Sequence, residues 1–207
     1  MAITINILVV GLVPELPGIE PLTAGLEWNW IGKLATILAS VAIFLLLPQR
    51  LKLEAGVLTL PRPPEWKSVI AVSAGLLAFF WAVAFAQKSG GTWTGMAETV
   101  AFQGTLPGLD EELAFRGLVL ALLVAAFGKP WRLLGISVGW GAFPLIAFFG
   151  LVHGYTSFGT DLDWFQVFVT GVAGAGLLWL KERTGSIWVA VIVHNLMNVG
   201  SLLLDKV

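Results

Sequence analysis

The stretch PGLDEELAFRGLVLALLVAAF, residues 107 to 127, sets four charged side chains, Asp110, Glu111, Glu112 and Arg116, at the head of an apolar run. Acidic residues in the first turn of a helix are ordinary, because the helix dipole favours them there. Pro107-Gly108 reads as a turn before such a helix. That account covers Asp110. It does not cover Arg116, which lies a turn deeper and costs on the order of 3 kcal/mol if left unpaired at the centre of a membrane helix. Glu112 and Arg116 are spaced i, i+4, with the acid on the N-terminal side, so they meet on one helix face. Glu111 points about 100° away from that face. One carboxylate thus has a partner within its own helix, and its neighbour is left free.

The surrounding chain has the same apolar character. Of its 207 residues 57% are hydrophobic and 12% charged, about half the charge fraction usual for a soluble domain. The mean hydropathy is +0.86. Lipid is the solvent for much of such a chain. A bilayer core calls for roughly 20 apolar residues per helix. The segments 29–48, 67–87, 108–128, 133–153, 163–180 and 186–205 meet or approach that length. The expected fold class is all-α: a polytopic transmembrane helix bundle of about six spans. Residues 1–28 hold the short apolar run ITINILVVGLV followed by Pro14, Pro17 and Pro21. They read as an interfacial or re-entrant lead-in, and the lack of a basic start argues against a signal peptide. The chain is read as one domain, 1–207, with a lead-in and two accessory spans over 1–104 and the core over 105–207.

Lys and Arg give the expected orientation. Arg50, Lys52, Arg62 and Lys67 precede or open the second span, Lys129 and Arg132 precede the fourth, and Lys181 and Arg183 precede the last. These loops fall on one side if all segments cross. The other side receives the acidic N-terminal region, Lys88, Asp161, Asp163, Asp205 and Lys206. Both termini then lie outside the cytoplasm. Trp28, Trp30, Trp66, Trp93, Trp131, Trp164 and Trp188 sit near expected helix ends, as an interfacial aromatic belt requires. Gly135 and Gly139, Gly150 and Gly154, and Gly171, Gly174 and Gly176 are spaced for close helix packing. The net charge of −1 offers no field for nucleic acid, and the absence of cysteine excludes disulfides and thiolate chemistry.

The remaining polar residues in the spans carry the chemistry. The two histidines, His153 and His194, both fall within or at the end of expected spans. Asn198 follows His194 at i+4, so an imidazole and a carboxamide share one face of the last helix. Ionisable groups at membrane depth face the bundle interior and mark function. At about 1.5 Å of rise per residue, Glu111 and His153 come out near the non-basic side and His194 and Asn198 near the middle. All four can converge in one cavity in the outer half. A carboxylate with an imidazole can hold and deprotonate water. An imidazole with an amide donor can stabilise the oxyanion that attack on a peptide carbonyl creates. No G-x-S-x-G or H-E-x-x-H occurs, and Ser157 reads as a loop residue. The residues alone leave open a zinc site made by Glu111, His153 and His194, or a small transporter relaying protons.

Three pieces in order, Glu111-Glu112-Leu-Ala-Phe-Arg116, Phe149-Gly-Leu-Val-His153 and His194-Asn-Leu-Met-Asn198, each on its own span, resemble the CPBP family. That family contains the type II CAAX prenyl endopeptidases and the bacterial bacteriocin-processing or abortive infection proteins. The resemblance covers about residues 105–200 and implies a glutamic-type intramembrane protease. It implies that Glu111 and His153 activate water, that His194 and Asn198 form the oxyanion hole, and that Glu112 and Arg116 order the site. No cofactor is expected, with zinc left open. The expected partners are the lipid bilayer and a membrane-associated protein or peptide substrate, with no nucleic acid. The expected setting is a bacterial or archaeal cell membrane, with the site toward the non-cytoplasmic half. Removal of a C-terminal sorting or anchoring segment suits so compact a chain. The competing expectation is a non-catalytic membrane protein of the same fold, an immunity or partner-binding factor.

Overall fold

The computed structural model describes residues 24–88, 90, 95–155 and 161–205. Residues 1–23 of the lead-in, Trp93, Ser157 and Lys206 lie outside the described residues. Helix α1 spans Trp30–Leu46, and the Asn29 side chain caps it by accepting from the Gly32 amide at 2.8 Å. It stops before Pro48, which cannot supply the next amide donor. A short α2, Gln49–Ala55, follows in the loop, and α3 runs over Trp66–Ala86. Then come α4, Met96–Gln103, and α5, Leu106–Glu112. A π-helical turn over Leu113–Val119 joins α5 without a break to α6, Leu120–Phe127. After a hairpin, α7 covers Ala142–Gly154, α8 Trp164–Thr184 and α9 Trp188–Asp205. The fold is a helical bundle, as its composition predicts. By length and composition α3, α8 and α9 are each apolar and long enough to cross a membrane, and α1 and α7 are shorter apolar helices.

The sequence-based span 133–153 is divided in the structure. Its first part forms a two-stranded antiparallel hairpin, β1 (Trp131–Leu133) with β2 (Ile136–Val138). Leu134 and Gly135 turn it with φ of 51° and 77°, the left-handed pair that a two-residue hairpin requires. Gly135 therefore serves a turn rather than a helix contact, and the helix begins only at Ala142. Gly150 does serve helix packing: a Cβ there would lie 2.7 Å from the Val167 carbonyl of α8. α7 and α8 accordingly form the most extensive helix pair, while α9 packs along α3 and α5.

The main core gathers Phe115, Leu145, Phe149, Ala173, Leu177 and Met197 between the π-helical turn, α7, α8 and α9. At one end of the bundle the basic loops meet. Lys129 pairs with Glu54 and with Glu182 at 2.6 Å, and Lys181 with Glu182 at 2.8 Å and Glu54 at 3.4 Å. The Lys181 ammonium also donates to the Glu54 carbonyl at 2.7 Å. Burial disfavours the ionised Glu54 carboxyl, but Lys181 and Lys129 outweigh it and hold the group below its ordinary 4.5. Burial likewise opposes the Lys129 charge, and Glu182 with Glu54 holds that group above its ordinary 10.5. This alternating cluster joins α2, the loop that precedes the hairpin and the last turn of α8. At the other end, Glu98 of α4 accepts from the amides of Glu27 and Trp28 and from the Trp30 indole at 2.9 Å.

Candidate active site

Helix α5 begins earlier than the acidic run. The Asn195 side chain of α9 accepts from the Gly108 amide at 2.9 Å and donates to the Thr105 carbonyl at 3.2 Å. It therefore satisfies an orphan donor of the first turn. Pro107 and Gly108 lie inside that turn, where proline costs nothing because its missing amide has no partner to lose. Gly108 is needed for contact, since a Cβ there would run into Asn195 and lie 2.9 Å from the Val191 carbonyl. Asp110 is consequently not a helix start. Its side chain is fully buried and pairs with Lys33 of α1 at 2.8 Å.

Beyond Asp110 the two glutamates diverge, as the helix period requires. Glu112 is fully buried, and its Oε1 accepts from Arg116 Nη1 at 3.0 Å. The Arg116 guanidinium lies 4.1 Å from the Phe149 ring centroid, and its Nη2 donates to the Gly174 carbonyl at 3.2 Å. The same Glu112 oxygen also meets His194 Nδ1 at 2.8 Å. Arg116 and His194 are thus both tied to one carboxylate. The π-helical turn carries an extra residue at the level of Arg116, a bulge of the kind found at functional sites.

Glu111 faces the other way, into a cavity of about 400 Å³ that Lys33, His153, His194 and Asn198 also line. Its Oε1 accepts from Lys33 Nζ at 3.1 Å. Its Oε2 is buried without a hydrogen-bonding partner, 3.3 Å from His153 Nε2 and 3.9 Å from His194 Nε2. His153 Nδ1 lies 2.8 Å from the Phe149 carbonyl, which can only accept, so Nδ1 carries a proton. The Nε2 atom is left to face Glu111. A lone pair and a carboxylate do not approach to 3.3 Å without a proton or a hydrogen-bonding molecule to reconcile them. The geometry suits a water held by this carboxylate beside the two imidazoles.

A family model for the type II CAAX prenyl endopeptidases, Rce1-like, matches residues 97–200. The chain belongs to the Rce1-like family. No curated protein and no solved structure matches it. Membership implies a protease of the CAAX type, and with three helices able to span a bilayer the Rce1-like chain is an integral membrane protein. The matched segment runs from α4 into α9 and contains Glu111, Glu112, Arg116, His153, His194 and Asn198. Glu111, His153 and His194 come together as the sequence reading expects, and Asn198 lines the same cavity.

Two residues of the site escape that reading. Lys33 is the one charged residue between Glu27 and Arg50, and a lone charge in an apolar span is itself a functional signal. Asn195 gives no such signal, because its partners lie in α5 and its preceding turn, far away in sequence. Among the described residues no three His, Asp or Glu side chains are grouped to hold a metal ion.

Proposed function

We propose that this protein is a glutamic-type intramembrane endopeptidase that hydrolyses a peptide bond of a membrane-associated protein or peptide. The observation that carries the proposal is the buried Glu111 Oε2, left without a hydrogen bond between two imidazole Nε2 atoms at 3.3 and 3.9 Å. Water there gives a proton to Glu111, with His153 sharing it, and the hydroxide attacks the scissile carbonyl carbon. The carbonyl π pair moves to oxygen. His194 Nε2–H and the Asn198 amide donate to that oxyanion. His194 already directs Nδ1 to Glu112, so it offers a second N–H only as the imidazolium, with Glu112 and Glu111 as counter-ions. Collapse of the tetrahedral species breaks the C–N bond, and the proton held by Glu111 and His153 passes to the departing amine. No covalent intermediate and no metal enter these steps.

The substrate we favour is a protein bearing a C-terminal sorting or anchoring segment, cleaved in the non-cytoplasmic half of the membrane. The orientation rests on the Lys and Arg loops, which cluster at the end marked by Glu54, Lys129 and Lys181. Quantitative comparison of protein termini in the native host tests the activity, using a deletion strain that carries either wild type or Glu111→Gln. Termini that appear only with wild type identify substrate and cleavage position together. Identical termini, with both proteins equally abundant, overturn the protease reading in favour of a binding role. Activity lost on chelation and restored by zinc would overturn the metal-free steps.

A further inference from the structure

We infer that Lys33 is a positioning residue of the hydrolytic site, reserving one oxygen of Glu111 for water by holding the other. This rests on the proposed hydrolysis, and it brings into the site a helix that lies outside the family-matched segment. A carboxylate has two equivalent oxygens and turns readily about its last torsion. In Glu111 they are made different: Oε1 accepts from Lys33 Nζ at 3.1 Å, and Oε2 stays buried and unbonded toward the imidazoles. Without that clamp the carboxylate is free to turn, and Oε2 loses its fixed place 3.3 Å from His153 Nε2 and 3.9 Å from His194 Nε2.

The clamp itself is anchored. Lys33 Nζ donates at 2.8 Å to Asp110, whose side chain is fully buried one residue before Glu111. A tether between α1 and α5 would need only the Asp110 arm. The Glu111 arm points into the cavity, which Lys33 itself lines. Charge balance gives the same answer. Lys33 and Arg116 face Asp110, Glu111 and Glu112, so with neutral imidazoles this group carries one net negative charge. That leaves room for one proton on the imidazoles, which is the one His194 needs to be an imidazolium. Losing Lys33 doubles the imbalance next to the base.

The chain has two histidines, both in this site, so imidazole nitrogen resonances of the full-length protein labelled with ¹⁵N-histidine report on the site alone. The comparison is wild type, Lys33→Arg, Lys33→Met and Lys33→Gln, each matched for helicity and thermal midpoint. Lys33→Met is expected to shift the His153 signals, and Lys33→Arg to restore them. Lys33→Gln replaces Lys33→Met should the latter fail to fold. A peptide carrying a wild-type-dependent cleavage site supplies the kinetic arm. There kcat is expected to fall on the order of 100-fold with little change in KM, as displacement of a reacting group does. Wild-type imidazole signals and kcat in folded Lys33→Met or Lys33→Gln overturn the inference. A raised KM with unchanged kcat overturns it too, by making Lys33 a substrate-binding residue. If no terminus depends on the wild-type protein, the proteolysis proposal fails, and the imidazole spectra still decide the role of Lys33.

Discussion

The Glu112 carboxylate is fully buried and its Oε1 takes both Arg116 and His194, whereas Glu111 keeps one oxygen on Lys33 and the other toward a cavity. Adjacent residues on a helix face about 100° apart, and that angle alone separates the two roles. Glu111→Ala and His153→Ala are each expected to abolish cleavage while the protein inserts and purifies normally, checked by rate and by yield. Asn198→Ala is expected to act more mildly, near the ~3 kcal/mol typical of one lost oxyanion donor. Normal turnover in that variant removes Asn198 from the mechanism. Arg116→Ala is expected to lower folded yield as well as rate. It leaves Glu112 buried with only an imidazole to answer it, and breaking a buried pair costs about 3–5 kcal/mol. Wild-type yield of Arg116→Ala would show that the guanidinium contributes little to the fold.

Helix α5 is short, and its placement depends on α9 more than on its own propensity. Asn195 caps it from that neighbouring helix, and Gly108 permits the approach. Gly108→Ala is therefore expected to push α5 off α9 and carry Glu111 away from His194. Crowding of this kind costs about 1–3 kcal/mol. Activity should fall further than thermal stability does, because the site tolerates less displacement than the core. Equal losses, or none, in paired rate and melting measurements would show that the contact does not position Glu111. At this scale the hairpin at 131–138 is the clearest departure from periodicity. Its residues are as apolar as a span, yet two consecutive positive φ angles at Leu134 and Gly135 commit them to strands.

Across the molecule, the cluster of Glu54, Lys129, Lys181 and Glu182 joins segments that are far apart in the chain. Because the folded Glu54 carboxyl lies below its ordinary 4.5, its stabilisation is fully present above that pH and is lost as pH falls through the lower folded value. Glu54→Gln is expected to melt below wild type at pH 7, and the gap to close on acidification. A gap that stays constant as pH falls below 4.5 would mean that the carboxylate charge is not its source. From the sequence alone came the helical class, the three long apolar helices α3, α8 and α9, the Glu112–Arg116 pair and the residues gathered at the cavity. Each of these follows from local periodicity, from the scarcity of polar groups in apolar runs, or from ordered motifs shared with a family. Tertiary structure alone decided that Asp110 is a buried partner of Lys33, that Asn195 caps α5, and that His194 shares Glu112 with Arg116. Those pairings join residues up to 90 positions apart. Side-chain spacing specifies a face within one helix, but only the packing of helices specifies which faces meet.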